Sequence, residues 1–394
     1  MIRRIPVSKT IATGQRRLYS SVKPSDKGTV QTVDYQSNMD IPPNSTMFSL
    51  IQPTNRFHIG NYLGTIKIWR DLANNPNVPA SGSKLIFGLA DLHALTSPKD
   101  PKQFKNARLE AVASIIASGI DPKQAILFSQ SAIPEHCELY WLLCCLTGMG
   151  QLNRMTQWKA KSQVSGSTET SVFEPEVLKK AYAGVFMYPV LQAADILLYR
   201  STHVPVGDDQ TQHLELTRTI CESFNKTYKN YNFPQPKTIL APTKKVLSLR
   251  DPTKKMSKSD PDQNSCIYIT EDAKTIQKKI RKAVTDSIDG GYYFDPVNRP
   301  GVSNLLNVVS GLQNCHVDEI VKDINDVKKL QNHKELKDYV SEAIIEGLKS
   351  CKTTFAQLME DKSYLEAVIK EGNDQAREIA SKNMKQIKTA VGLN

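Results

Sequence analysis

The chain lacks any run of 18 apolar residues, so no segment reads as a membrane-spanning helix. Its 7 cysteines (Cys137, Cys144, Cys145, Cys221, Cys266, Cys315 and Cys351) form no Cys-x-x-Cys pair, which argues against a disulfide framework and against a zinc ribbon. Cys144 and Cys145 follow the apolar run Leu139–Leu143 and are expected to pack there as small hydrophobes. Internal repeats and low-complexity tracts are missing too. Acidic residues are absent from positions 1–25, which hold Arg3, Arg4, Lys9, Arg16, Arg17 and Lys23.

That acid-free, Arg-rich and Ser/Thr-containing start has the composition of a mitochondrial transit peptide over residues 1–19, with Arg17-Leu18-Tyr19-Ser20 as a processing site. A basic RNA-binding arm is the alternative. Residues 20–45, polar and Pro-containing, read as a loose connector. At 394 residues the chain is long enough for two domains and a sizeable core. The formal charge of +11 is unevenly spread: residues 226–282 hold 14 Lys/Arg against 5 Asp/Glu. A positive field concentrated there suits a polyphosphate or nucleic-acid partner.

Short apolar segments (Phe48–Ile51, Leu85–Leu89, Ile126–Phe128, Val204–Val206) alternate with helical patterns such as Phe104–Ser118. This is the βα signature of a parallel, doubly wound, Rossmann-like α/β sheet. After about Thr285 the pattern becomes charged and amphipathic, predicting helices over His333–Lys349, Thr354–Glu360 and Leu365–Ala390. The expected division is a catalytic domain with a helical insertion at 46–285 and a helical region at 286–394. Glu135–Gln157, Leu-rich with Trp141 and Met149, would be core in a monomer.

Three motifs carry chemistry. In Gln52-Pro53-Thr54-Asn55-Arg56-Phe57-His58-Ile59-Gly60-Asn61, the strand Thr46–Ile51 leads into a helix over Tyr62–Leu72. The N–H groups of that turn favour anions, and Gly60 would let a flat adenine or ribose approach the backbone. His58 and Asn61 are donors for triphosphate oxygens; alone, the motif is equally an ordinary turn. In Tyr188–Tyr199, Pro189 suits a first helical position, predicting a helix over Val190–Tyr199. Leu191, Leu198 and Tyr199 then flank Asp195 at i−4, i+3 and i+4, so its carboxylate lies on an apolar face. A buried carboxylate needs donors, and an indole N–H or a phenol O–H would serve. The strand His203–Val206 leads through Gly207-Asp208-Asp209 into a helix over Gln210–Phe224. Its carboxylates suit ribose hydroxyls, although an N-cap is the plainer reading. The third motif, Lys254-Lys255-Met256-Ser257-Lys258-Ser259, puts two ammonium groups and two hydroxyls on a polar loop able to close over pyrophosphate.

The string Lys-Met-Ser-Lys-Ser, paired with His-x-Gly-Asn about 200 residues earlier, resembles the signature of class I aminoacyl-tRNA synthetases. With the Tyr188–Tyr199 and Gly207–Gln210 blocks, the chain from about Thr46 to its end is similar to the tryptophanyl-tRNA synthetase family, and the leader matches a mitochondrial member. The resemblance implies L-tryptophan, ATP with Mg2+, and tRNA(Trp) as partners, a homodimer, and the mitochondrial matrix as location. It assigns the ATP site to Gln52, Thr54, His58, Ile59, Gly60, Asn61, Gly207, Asp208, Asp209, Val246, Lys255, Met256, Ser257, Lys258 and Ser259. Tryptophan falls to Phe48, His93, Tyr188, Gln192, Asp195 and Gln210, with the indole N–H on Asp195. Lys258, Lys255, His58, Asn61 and Gln52 are the catalytic set, and no protein metal site is implied. The C-terminal helices would serve the anticodon end, and Glu135–Gln157 would lie near the dimer interface. Two departures stand out: Leu50 and Asn55 occupy positions that are usually glycine. Gln192 stands where many bacterial members carry Met. Rival readings are a tyrosyl-tRNA synthetase, a small-molecule nucleotidyltransferase, and a non-catalytic RNA-binding derivative.

Overall fold

The computed structural model describes residues 31–36, 39, 41–53, 56–161, 172, 177, 179, 182–241, 243, 245–258, 260–288 and 290–394. The expected leader at 1–19, Thr54, Asn55 and Ser259 lie outside the described residues. Six parallel strands form one sheet: β1 (Thr32–Asp34), β2 (Thr46–Ile51), β3 (Lys84–Leu89), β4 (Ile126–Ser129), β5 (His203–Val206) and β6 (Lys237–Leu240). Their order is β1-β6-β5-β2-β3-β4. The winding reverses between β2 and β5, and in such sheets ligands bind at that crevice, outside the carboxyl ends of the strands. The motifs after β2 and after β5 both open there.

The helices that matter below are α1 (Lys67–Ala73), α2 (Pro101–Ala117), α3 (Glu135–Cys144), α4 (Ala183–Leu198), α5 (Thr211–Thr227), α6 (Ala273–Arg281), α7 (Pro300–Gln313), α8 (His333–Gly347), α9 (Lys349–Glu360) and α10 (Lys362–Val391). Two apolar cores cover the two faces of the sheet. One gathers Met47, Phe87, Trp69 and Ile239 with α6 to α8. The other gathers Phe48, Ile86, Phe128 and Val204 with α3, α4 and the end of α10. Alternate residues of β2 therefore face opposite cores, as the two-residue period of a strand requires.

Several expectations are corrected. Residues 32–36, read as connector, add β1 to the sheet edge: Tyr35 donates its N–H to Leu240 O at 2.8 Å and is itself buried. Pro189 is not a helix start; α4 begins at Ala183, and Pro189 lies inside it. An internal proline costs about 3 kcal/mol in an isolated helix. Burial of Val185, Phe186 and Tyr188 on the same helix offsets that cost. Cys145 is exposed rather than packed, and Trp141 and Met149 are 66% and 48% exposed, so the Leu-rich segment is only partly core. The C-terminal helices return to the sheet. A Cβ on Gly372 of α10 would meet Leu127 O at 1.8 Å, so only glycine permits that approach to β4. Asn373 Oδ1 accepts from Ser129 N at 2.8 Å, and Asn383 Nδ2 donates to Leu198 O at 2.8 Å.

Candidate active site

The turn after β2 is held by its own side chains. His58 Nδ1 accepts from Asn61 N at 3.3 Å, and Asn61 Oδ1 accepts from His58 N at 3.2 Å. This reciprocal cap assigns the His58 proton to Nε2 and leaves Asn61 Nδ2 as a donor for a ligand. Burial, then the Lys258 and Lys255 charges, push the His58 imidazole down to about 3, so it is neutral near pH 7. Gly60 has a second reason to be glycine. A Cβ there would lie 2.9 Å from the His58 ring and 3.4 Å from Val246 Cβ, so glycine makes room for His58 itself.

The segment that follows the Lys-Met-Ser-Lys loop is tied to this turn. Ile59 N donates to Ile267 O at 2.9 Å, Ile269 N to Phe57 O at 3.0 Å, and His58 forms an antiparallel bridge with Tyr268. Met256 is buried and donates its N–H to Val246 O at 2.9 Å. Lys258 is half-buried, its ammonium 5.1 Å from the centre of the Phe57 ring. Burial lowers the Lys258 ammonium to about 8. Lys255 extends across the crevice to Asp209 Oδ1 at 3.4 Å. Asp208 and Asp209 are exposed in a 3-10 turn, and Gly207 leaves room for the Asp209 carboxylate to fold back. Ser257 is exposed and Gln52 half-buried at the mouth.

Behind the crevice, Asp195 is buried and fully engaged. Oδ1 accepts from His136 Nδ1 at 2.6 Å and from Gln130 Nε2 at 2.8 Å. Oδ2 accepts from the same Gln130 nitrogen at 2.8 Å and from His93 Nε2 at 2.8 Å. Burial pushes this carboxyl up, but the His136 and His93 partners outweigh it and hold the group at about 2. His136 Nε2 lies 3.0 Å from the Tyr199 hydroxyl. Gln130 is oriented by Leu92 N, which donates to its Oε1 at 3.1 Å. Phe48 is buried and stacks on Tyr199 with ring centres 5.1 Å apart. Leu50 packs against the same core as Phe48, which settles where its side chain goes.

A polar rim completes the pocket. Tyr188 Oη donates to Gln157 Oε1 at 2.7 Å, and its ring meets His93 edge-on at 6.0 Å. His213 Nδ1 bridges Gln192 Oε1 at 2.8 Å and Gln210 Oε1 at 3.2 Å. The structure thus brings Phe48, His93, Tyr188, Gln192, Asp195 and Gln210 to one place. Gln130, His136, Gln157 and His213 were missed by sequence reasoning. A cavity of about 1040 Å³ lined by Tyr35, Lys67, Asp71 and Asn304 lies elsewhere; its lining also includes Asp208, and Lys245 and Leu247 on either side of Val246.

Residues 43–349 match the family model described as tRNA synthetases class I (W and Y). The chain is 53% identical over 368 residues to the mitochondrial tryptophan–tRNA ligase of Saccharomyces cerevisiae, covering 93% of this chain and 96% of that one. It belongs to the class I tRNA synthetases, on the tryptophan branch. Solved members of the branch share its fold. The Mycoplasma pneumoniae tryptophanyl-tRNA synthetase superposes with a TM-score of 0.74 at 30% identity, covering 89% of this chain and 98% of that one. The Campylobacter jejuni enzyme, solved with ADP and tryptophan, superposes with a TM-score of 0.67 at 30% identity, covering 88% and 100%.

Proposed function

We propose that this chain is a mitochondrial tryptophan–tRNA ligase that activates L-tryptophan with Mg-ATP and transfers it to the 3′ end of tRNA(Trp). The observation that carries the reading is that the neutral His58 turn and the Lys255–Lys258 loop pack together at the switch point, and that Lys255 is linked through Asp209, Gln210 and His213 to Gln192 on the helix that carries the buried Asp195. The tryptophan carboxylate attacks the α-phosphate, forming the P–O bond of the adenylate as the bond to pyrophosphate breaks. No protein nucleophile is required. Catalysis consists of positioning and of neutralising the charge on the leaving pyrophosphate. His58 Nε2, Asn61 Nδ2, Lys255 and Lys258 supply the donors, and Mg2+ arrives with the triphosphate. Asp209 and Gly207 receive the ribose, which breaks the Lys255–Asp209 ion pair and frees Lys255 for phosphate. Tyr188, Gln192 and Gln210 line the amino-acid end, with Phe48 as the apolar floor.

The indole N–H is assigned to Asp195. An ionised carboxylate has about four acceptor directions, and four contacts already reach Asp195. Indole therefore replaces one donor, and His93, on the side facing Tyr188, is the one that yields. Charging of a tRNA(Trp) transcript with labelled tryptophan tests the overall reaction; failure to charge with an active adenylation step would overturn it.

Two further parts of this reading have separate tests. Residues 1–19 direct import into the matrix, so a reporter fused to residues 1–30 should enter mitochondria; cytosolic retention refutes the leader. The segment Glu135–Gln157, whose Trp141 and Met149 are exposed, forms the homodimer contact. Sedimentation should show a dimer that Trp141→Glu converts to monomer, and a monomeric parent chain would contradict it.

A further inference from the structure

The helix that follows the catalytic loop carries its charge in an uneven way. Ile276, Ile280 and Ala283 face the core, and the buried Lys279 is neutralised by Glu271 and by Cys266 O at 2.7 Å. On the opposite face Lys274, Lys278, Arg281 and Lys282 are all exposed. They stand at i, i+4, i+7 and i+8, successive fourth residues being about 6 Å apart along the axis. With Gln277 these residues line a shallow cavity of about 390 Å³. Among the described residues, Arg281 alone of the four has an acidic partner, Asp338 at 3.8 Å.

Helix stability does not explain this row. Cations near a helix C-terminus favour the macrodipole, which accounts for Arg281 and Lys282. Lys274 sits in the first turn of α6, where a cation is unfavourable, and its pairs with Lys278 and of Lys278 with Lys282 are like charges at i,i+4. Solubility would be met by charges of either sign. An extended row of one sign on a rigid helix matches a partner with repeated negative charge.

Its position says which partner. α6 begins five residues after Tyr268, which bridges His58, and Lys279 Nζ lies 5.3 Å from the Tyr268 ring centre. On the other side Arg250 holds the end of the helix through Lys282 O and pairs with Asp262 at 3.0 Å. The row is thus rigidly joined to the turn that binds the triphosphate. We infer that Lys274, Lys278 and Lys282 form a phosphate track for the tRNA strand whose 3′ end enters the active site. The inference rests on the synthetase reading and names the surface by which that enzyme holds its RNA.

The test is binding of a tRNA(Trp) transcript across a salt series, set beside tryptophan-dependent ATP–pyrophosphate exchange, which needs no RNA. The triple variant Lys274→Gln, Lys278→Gln, Lys282→Gln should bind at least about tenfold more weakly, with the slope of log affinity against log salt reduced by about 3. Its exchange rate should remain within about twofold of the parent, while the corresponding triple Arg variant keeps both affinity and slope. An unchanged slope in the Gln variant, an equal loss in the Arg variant, or loss of exchange along with binding would overturn the track. If the parent chain lacks exchange yet shows the salt-dependent binding, the functional reading fails and the track stands.

Discussion

His136 Nδ1 lies 2.6 Å from Asp195 Oδ1, and both residues are buried beneath the crevice. The bond does two things at once. It supplies a donor to a carboxylate that has lost its water, and it fixes the direction of the carboxylate that meets the substrate. Desolvating one such ion costs several kcal/mol, and hydrogen bonds to charged groups return about 1.5–3 kcal/mol each. The three side chains around Asp195 are therefore what allow an ionised group at this depth.

Replacing His136 by Phe should raise the KM for tryptophan by about 10- to 100-fold, from one lost charge-assisted bond, and leave the KM for ATP near its parent value. His136→Asn, which retains a donor near Nδ1, should recover part of the loss. Steady-state kinetics with each substrate varied in turn checks this. Equal increases in both KM values would mean that His136 only supports the fold.

Lys258 gives a pH signature. Burial lowers its ammonium to about 8, so the charged form is complete below that value and is lost as pH rises through it. The kcat/KM for ATP, which reports the free enzyme, should fall on the alkaline side from about pH 8. Lys258→Arg should remove that limb, and Lys258→Ala should cost about 10²–10³ in the single-turnover adenylation rate, with tryptophan affinity nearly unchanged. A parent profile flat to pH 10 would contradict the assignment.

Much of this site was legible in the chain because its parts are local. A glycine-containing turn between a strand and a helix, or a basic loop, declares itself in a few consecutive residues. The same holds for the parallel sheet, whose strands were all read except β1 and β6. β1 is three residues long in a polar stretch, and its ladder with β6 depends on a segment some 200 residues away. Gln130 and His136 were missed for the same reason. His136 sits in a Leu-rich stretch that reads as apolar core, and only the packing of α3 against α4 brings its ring to Asp195. The i+4 spacing of Asp195 and Tyr199 was the one available signal, since a buried hydroxyl there requires a partner. Pro189 misled because its preference for a helix start is local, whereas the burial that carries α4 past it is not.

The central claim is that the buried carboxylate selects indole in an adenylate-forming site. Its most direct test is amino-acid-dependent ATP–pyrophosphate exchange with tryptophan, tyrosine and phenylalanine, for the parent chain and for Asp195→Ala. Phenylalanine in the same pocket would displace His93 from Asp195 and offer no donor in its place, so the parent should prefer tryptophan over it by about 10⁴–10⁵. The variant should lose most tryptophan activation, and its preference should fall to the roughly 10- to 200-fold that an apolar pocket alone achieves. Tyrosine should remain a poor substrate of the parent. Exchange driven by tyrosine above tryptophan, or a variant that keeps the full preference over phenylalanine, would contradict the account.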